Sequence, residues 1–141
     1  MKDKIEVVAA VIVKDGNILA TQRGYGEFKG KWEFPGGKIQ KNENQAQALI
    51  REIKEELHGD ITVDDYVTTV SYDYPKFHLI MHTYICSLKN NLEFVYHSNN
   101  ELEHDNMVWL DIDDLDHLDW LPADRIVIDA YKRLRVVKKL S

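Results

Sequence analysis

The sequence predicts an α/β fold in which a mixed β-sheet lies between two helices. Its 141 residues and 44% hydrophobic content are enough for an ordinary buried core. No linker, low-complexity tract or repeat interrupts the chain, so residues 1–141 are expected to form one domain. Segments with strand and helix periodicity follow in the order β-β-loop-helix-β-β-β-helix, and a sheet covered by helices is the economical packing for that order.

The first two strands are predicted from a β-branched run and a turn signal. Residues 5–13 are continuously apolar, which is typical of a strand buried on both faces. Asp15 and Gly16 tolerate positive φ and predict a hairpin turn, followed by a second strand over residues 17–22. Three glycines fall within residues 24–31, which are expected to form a loop.

Residues 32–38, Trp-Glu-Phe-Pro-Gly-Gly-Lys, are expected to be a short extended piece broken by a Pro-Gly-Gly turn. An amphipathic helix follows, because apolar residues recur every three or four positions from residue 44. Asn42 or Asn44 is a candidate N-cap, and Gly59 is a candidate left-handed stop.

The rest of the chain completes the predicted sheet and adds a second helix. Strands are expected over residues 61–72 and 77–88, with a shorter one near Phe94 and an apolar triplet at residues 108–110. A C-terminal helix is predicted after Pro122, a residue suited to a first helical turn.

Composition and charge narrow the classes of function. The formal net charge of -6 argues against a nucleic-acid binder, whose affinity rests on clustered Lys and Arg. The basic residues near the C-terminus are expected to form a solvated helix face. No stretch approaches the roughly 20 apolar residues that a bilayer-spanning helix needs. An acidic protein acting on an anionic substrate would need metal ions as intermediaries.

Cysteine usage suggests the cellular compartment. Cys86 is the single cysteine and allows no internal disulfide, and the N-terminal residues do not resemble a secretory signal. We therefore expect a reduced, cytoplasmic setting. The oligomeric state is left open between monomer and homodimer.

Three glutamates share one face of the first predicted helix. Glu52 precedes Glu55 and Glu56 by three and four residues, while Ile53 and Leu57 point toward the sheet. Carboxylates this close repel one another, so the arrangement favours a cation. All-oxygen ligation suits Mg²⁺ or Mn²⁺.

Arg51 lies four residues before Glu55 and is expected to orient that carboxylate through a fork-shaped hydrogen bond. For a Glu-rich helix considered alone, a solvated acidic face is the commoner meaning. The surrounding pattern argues otherwise. Its fixed positions are Gly37-x5-Glu43-x7-Arg51-Glu52-apolar-x-Glu55-Glu56.

This pattern resembles the Nudix box, the signature of enzymes that hydrolyse a nucleoside diphosphate linked to another group. Six fixed identities make a chance match on the order of 10⁻⁷ per window. One position departs from the family: His58 stands where a glycine is usual. We expect the helix exit to shift by one residue, to Gly59, and the metal site to be intact.

The resemblance covers most of the chain. Residues 8–13, Arg23, residues 32–38 and residues 120–124 are similar to the MutT-type nucleoside triphosphate branch, especially to enzymes that remove oxidised guanine nucleotides or hydrolyse CTP. It implies the Nudix α/β/α sandwich, and hydrolysis of a nucleoside triphosphate to the monophosphate and pyrophosphate. The substrate implied is a small nucleotide, with neither nucleic acid nor membrane as a partner.

The resemblance also implies metal ligands. In the family the box helix binds divalent cations, which places ligands at Glu52, Glu55 and Glu56 and at the backbone carbonyl of Gly37. A family carboxylate six residues before the late-strand tryptophan corresponds to Glu103, whose alternative is a solvated loop residue.

Catalytic roles follow from the same resemblance. They are assigned to the three box glutamates, Arg51 and Glu103. The general base is left open among Glu43, Glu56 and Glu103.

Substrate contacts are implied at both ends of the nucleotide. Arg23 and Lys38 resemble family positions that contact phosphate, although either residue could be an ordinary surface cation. Asp124 lies where MutT-type members place the residue that reads the base. Its carboxyl suits cytosine or oxidised guanine, and its alternative is a carboxylate favoured by a helix N-terminus.

Phe34, Tyr74 and Phe77 are candidate stacking surfaces for the base, although aromatic residues at strand spacing are more often core. His78 and His82 are expected to be structural rather than a zinc site, because no further ligands cluster near them.

The leading hypothesis is a Mg²⁺-dependent 8-oxo-dGTP diphosphatase that acts in nucleotide-pool sanitation and thereby in DNA repair. The alternatives are a (d)CTP pyrophosphohydrolase, an enzyme for another nucleoside-diphosphate-linked substrate such as ADP-ribose, and a nucleotide-binding module without activity.

Overall fold

A computed structural model describes residues 2–92 and 104–140. Within these residues, two α-helices and one 3₁₀-helix accompany seven strands. The elements in chain order are β1 (Asp3–Lys14), β2 (Asn17–Arg23), β3 (Trp32–Glu33), β4 (Gly36–Lys38), α1 (Gln45–Leu57), β5 (Ile61–Asp73), β6 (Phe77–Leu88), β7 (His104–Leu110), the 3₁₀-helix (Ile112–His117) and α2 (Pro122–Leu140).

The strands form one mixed sheet, as predicted. Its main path is β3-β2-β1-β6-β5, with β4 paired to β1 and β7 paired to β2. β1 runs parallel to β6 in a register that pairs Asp3 with Phe77 and Val13 with Ser87, whereas the other pairings are antiparallel. The strand predicted near Phe94 lies outside the described residues.

Helices cover the two faces of the sheet, which confirms the α/β/α arrangement. Alternate residues of β1 enter opposite layers: Val8 packs with Leu49 and Ile53 of α1, and Ala9 packs with Val127 of α2. Both layers are fully or almost fully buried. The continuous apolar run of β1 is therefore explained by burial on both faces.

The predicted Pro-Gly-Gly turn is wrong, because both glycines belong to a strand. Gly36 pairs with Ala9 and Gly37 pairs with Val8 in the β1–β4 ladder. A Cβ on Gly36 would lie 1.9 Å from the carbonyl oxygen of Val8. The glycine serves close strand approach rather than chain reversal.

The two ends of α1 show which residue is the N-cap and correct the expected exit of the helix. Asn44 is the N-cap and forms a capping box with Gln47. His58, at φ 51°, takes the left-handed position, so the expected shift of the exit to Gly59 is wrong. The Gly59 N–H bonds the Ile53 carbonyl instead, at 3.2 Å.

Two further observations concern membrane spans and the single cysteine. Among the described residues, no helix is long and apolar enough to span a bilayer. Cys86 is a buried free thiol, and burial raises its pKa to about 12.

Candidate active site

The acidic face of α1 is organised by one guanidinium. Arg51 forms a fork with Glu43, through Nε to Oε2 at 2.6 Å and Nη2 to Oε1 at 3.0 Å. Its Nη1 donates to Glu52 Oε1 at 2.9 Å and to Glu55 Oε2 at 3.1 Å. The fork was expected on Glu55, and the structure places it on Glu43 because that side chain reaches back from before the N-cap.

These contacts fix the charge state of the network. The Glu43 hydrogen bond and charge raise the pKa of Arg51 above its ordinary value, despite partial desolvation. Hydrogen bonds from Arg51 and from the backbone N–H of Gln40 lower the pKa of Glu43. Both groups therefore stay ionised at neutral pH and hold the helix face in one arrangement.

Gly37 brings backbone directly against the Glu52 carboxylate. A Cβ at Gly37 would lie 2.3 Å from Glu52 Cδ, so no larger residue fits beside that carboxylate. β4 thus places the Gly37 backbone beside the first box glutamate.

The donor set fits a hard divalent ion, although it is not gathered around one point. Within residues 2–92 and 104–140, no group of three or more carboxylate, imidazole or thiol side chains converges as a ready metal site. Arg51 engages one oxygen of Glu52 and one of Glu55, so each carboxylate has a second oxygen to offer. Glu103 lies outside the described residues.

A cavity of about 760 Å³ runs from this acidic edge into the space beneath α2. Its wall includes Glu52, Glu56 and Gly37 at one end and Asp124 at the other. Glu55, whose side chain is 59% exposed, lies on the same helix face but outside the cavity wall. The size suits a nucleotide-sized ligand.

The residues expected to bind substrate share this cavity. Arg23, Lys38, Phe34, Phe77 and Asp124 all belong to its wall. Phe34 is only 4% exposed, and its ring lies 4.8 Å from that of Trp120, so this side chain is largely core.

Asp124 is buried and is held at the start of α2. Its Oδ1 accepts a 2.9 Å hydrogen bond from the Phe34 N–H. Burial and, secondarily, the Glu33 carboxylate raise its pKa to about 8. Asp124 lies in the first turn of α2 and also lines the cavity, so its position is compatible with both meanings considered for it.

Glu33 is a cavity residue that sequence reasoning missed. Its carboxylate pairs with Arg23 through two bonds, Nε to Oε2 at 3.0 Å and Nη2 to Oε1 at 2.7 Å. Burial alone would lower the pKa of Arg23, but the hydrogen bonds and charge of Glu33 outweigh it and raise that pKa. The available signal was strand pairing, since Glu33 and Arg23 lie on adjacent antiparallel strands.

The two histidines on β6 have polar partners on neighbouring strands. His82 contacts Glu6 at 2.7 Å and Thr69 at 2.9 Å. His78 contacts Ser71 at 2.7 Å. These contacts support the structural role expected for both imidazoles.

Comparison with known proteins identifies the family to which this site belongs. The family model described as NUDIX domain matches residues 4–131. The chain belongs to the Nudix family. A Nudix relative, the CTP pyrophosphohydrolase of Escherichia coli (strain K12), is 35% identical over 136 residues, covering 95% of this chain and 96% of that protein.

A second Nudix relative is the 8-oxo-dGTP diphosphatase of Proteus vulgaris, 38% identical over 94 residues, which cover 64% of this chain and 84% of that protein. Among solved structures, that of the E. coli ORF135 protein superposes with a TM-score of 0.82 at 33% identity, covering 96% of this chain and 94% of that one. The protein is thus a Nudix hydrolase and a nucleotide pyrophosphohydrolase, a class that generally uses divalent cations.

Proposed function

We propose that this Nudix hydrolase converts a (deoxy)nucleoside triphosphate to the monophosphate and pyrophosphate with Mg²⁺ as cofactor, and that oxidised dGTP is its main substrate. The observation that carries the proposal is the cavity that joins Glu52 and Glu56 to the buried Asp124. A triphosphate at the acidic edge puts the base beneath α2, in reach of that carboxyl. Such an activity would clear damaged precursors from the nucleotide pool before DNA synthesis.

Glu52, Glu55 and Glu56, with the Gly37 carbonyl, would hold the cation, and Glu103 is proposed as a further ligand. When bound, Mg²⁺ neutralises phosphate charge, polarises a phosphoryl oxygen and lowers the pKa of bound water; Mn²⁺ supplies the same chemistry. Arg51 orients the carboxylates on which this depends, since it bonds Glu52 and Glu55 together.

The cationic groups of the cavity would bind the phosphates. Lys38 is the last residue of β4, next to Gly37, and lines the cavity together with Glu52. Glu33 accepts hydrogen bonds from Nε and Nη2 of Arg23, and no described side chain or backbone oxygen accepts from Nη1. That N–H group is directed by the fork and suits a phosphate or sugar oxygen.

Asp124 supports a guanine base in particular. With its pKa raised to about 8, the carboxyl is largely protonated at neutral pH and offers one donor and one acceptor. An oxidised guanine presents the complementary O6 acceptor and N7–H donor side by side. Phe77 at the cavity wall adds an aromatic face.

CTP is the second candidate, because the E. coli relative with that name matches nearly the full length of both chains. Ionised Asp124 would accept from the cytosine amino group. The two substrates therefore differ in the protonation state of Asp124 that they prefer.

The test is pyrophosphate release from a panel of oxidised and normal nucleoside triphosphates, dinucleotides and ADP-ribose at fixed Mg²⁺. We expect 8-oxo-dGTP to have the highest kcat/KM, and Glu55→Gln to lower kcat by at least about a hundredfold. Glu27→Gln, a charge-matched change in an exposed loop, should leave the rate unchanged.

Each other result has a definite meaning. A higher kcat/KM for CTP reverses the order of the two candidates. Fastest turnover of ADP-ribose or another diphosphate-linked compound overturns the triphosphate assignment, and tight nucleotide binding without any product would establish a binding module instead.

A further inference from the structure

Tyr74, in the hairpin between β5 and β6, lines the cavity but has no role in the proposed reaction. Its side chain is only 5% exposed, yet it belongs to the cavity wall that includes Asp124. Its ring is fixed by three aromatic neighbours, with centroid separations of 5.3 Å to Phe28, 4.7 Å to Tyr72 and 5.1 Å to Phe77. The hydroxyl therefore occupies a defined position beside the first turn of α2.

The hydrogen bonding of this hydroxyl is only half complete. Tyr74 Oη accepts a 3.1 Å bond from the Ala123 N–H, the residue immediately before Asp124. No acceptor for its own hydrogen occurs among the side chains and backbone of the described ranges 2–92 and 104–140. A buried hydroxyl usually has a partner for its proton.

The protonation state of this group is not in question. Burial raises the pKa of Tyr74 to about 12, and the nearby Asp124 carboxyl acts in the same direction. The group is thus a permanent O–H. Because Oη already accepts from the Ala123 N–H, its own hydrogen is left to donate to a further acceptor.

We infer that Tyr74 is a base-binding residue whose O–H donates a hydrogen bond to an acceptor on the nucleobase, beside the contact made by Asp124. The acceptor is a ring nitrogen or a carbonyl oxygen, which every candidate base has. This inference rests on the proposed nucleotide site. It adds a fixed donor next to a carboxyl that changes its own role with protonation.

The experiment compares kcat/KM for wild type, Tyr74→Phe, Asp124→Asn and the double variant. The probes are 8-oxo-dGTP, CTP and the abasic analogue 2-deoxyribose 5-triphosphate. We expect Tyr74→Phe to lower kcat/KM about fivefold for the preferred base-bearing substrate and to leave the abasic analogue unchanged. The loss should persist in the Asp124→Asn background.

Two results would overturn the inference. An equal loss on the abasic analogue would show that Tyr74 only supports the fold. Disappearance of the effect in the Asp124→Asn background would show that it acts solely by positioning Asp124 through Ala123. Tyr72→Phe is the matched control, since it removes a neighbouring hydroxyl outside the cavity wall, and it should change neither rate.

A binding measurement separates this inference from the reaction itself. Calorimetric titration with the nucleoside monophosphate needs no turnover, and Tyr74→Phe should weaken Kd by the same factor. If wild type hydrolyses no triphosphate but Tyr74→Phe weakens this binding, the proposed function fails and the tyrosine contact stands. If wild type is active and neither quantity changes, the tyrosine contact fails alone.

Discussion

At Asp124, burial and the Glu33 charge act in the same direction on one carboxyl. Together they raise its pKa from 3.8 to about 8. The folded state keeps a proton that the unfolded chain releases. The contribution of this carboxyl to the free energy of unfolding is therefore fully present below about pH 4 and is lost as pH rises toward 8. The largest slope for one such group is about 1.4 kcal/mol per pH unit.

The first prediction is that Asp124→Asn removes this slope. The amide still accepts from the Phe34 N–H but does not ionise. The free energy of unfolding of the variant should therefore rise steadily relative to that of wild type between pH 5 and pH 8. Urea unfolding at several pH values measures the difference. Asp129→Asn, an exposed change on the same helix, should run parallel to wild type; a parallel curve for Asp124→Asn would contradict the raised pKa.

At the scale of the element, β4 contains two adjacent glycines with different neighbours. A Cβ on Gly36 would meet backbone, the Val8 carbonyl at 1.9 Å, whereas a Cβ on Gly37 would meet the Glu52 carboxylate at 2.3 Å. Backbone in a packed ladder has little room to yield, while a side chain can rotate.

The second prediction follows from that contrast. Gly37→Ala should lower kcat at least about tenfold by displacing Glu52, with a loss of only about 1 kcal/mol in unfolding free energy. Gly36→Ala should cost about 3 kcal/mol or more, because β4 must separate from β1. Thermal unfolding measures the stability of both variants, and pyrophosphate release measures their kcat. Equal losses of stability would refute the prediction.

At the exit of α1, one residue adopts a strained backbone conformation. His58 adopts the left-handed conformation at φ 51°, a region that favours glycine. The third prediction is that His58→Gly stabilises the protein by about 0.5–1 kcal/mol and leaves kcat unchanged. His58→Val should destabilise it, since a β-branched residue resists positive φ. Urea midpoints test both changes, and a less stable glycine variant would contradict the argument.

At the scale of the whole molecule, the net charge of -6 makes cation binding favourable beyond the site itself. The fourth prediction is that millimolar Mg²⁺ raises Tm by a few degrees by mass action on the folded state. EDTA should abolish turnover while the circular dichroism spectrum is retained, because the two layers are held together by buried apolar side chains. NaCl at equal ionic strength is the control, and an equal rise in Tm with NaCl would show charge screening alone.

Local signals were sufficient for much of this molecule. Apolar spacing located α1, Asn44 capped it, and the β-branched run located a strand buried on both faces. The Nudix box brought the three glutamates to one helix face, because that grouping depends only on residues within two turns.

What could not be predicted depends on residues brought together by the fold. The Gly36 and Gly37 segment forms a strand only because β1 lies against it. The contact between Tyr74 and Ala123 joins residues 49 positions apart, and no sequence period reports such a pair. Arg51 forms its fork with Glu43 rather than with Glu55 because the chain before the helix places Glu43 beside the guanidinium.

The isolation of Cys86 makes the protein convenient for spectroscopy. A single thiol that is buried and has a pKa near 12 reacts slowly with maleimides. A cysteine introduced at exposed Lys29, next to Phe28 in the loop between β2 and β3, would therefore take up a fluorophore selectively. Its emission would report whether this loop moves when a nucleotide enters. The lysine would be the one native residue replaced.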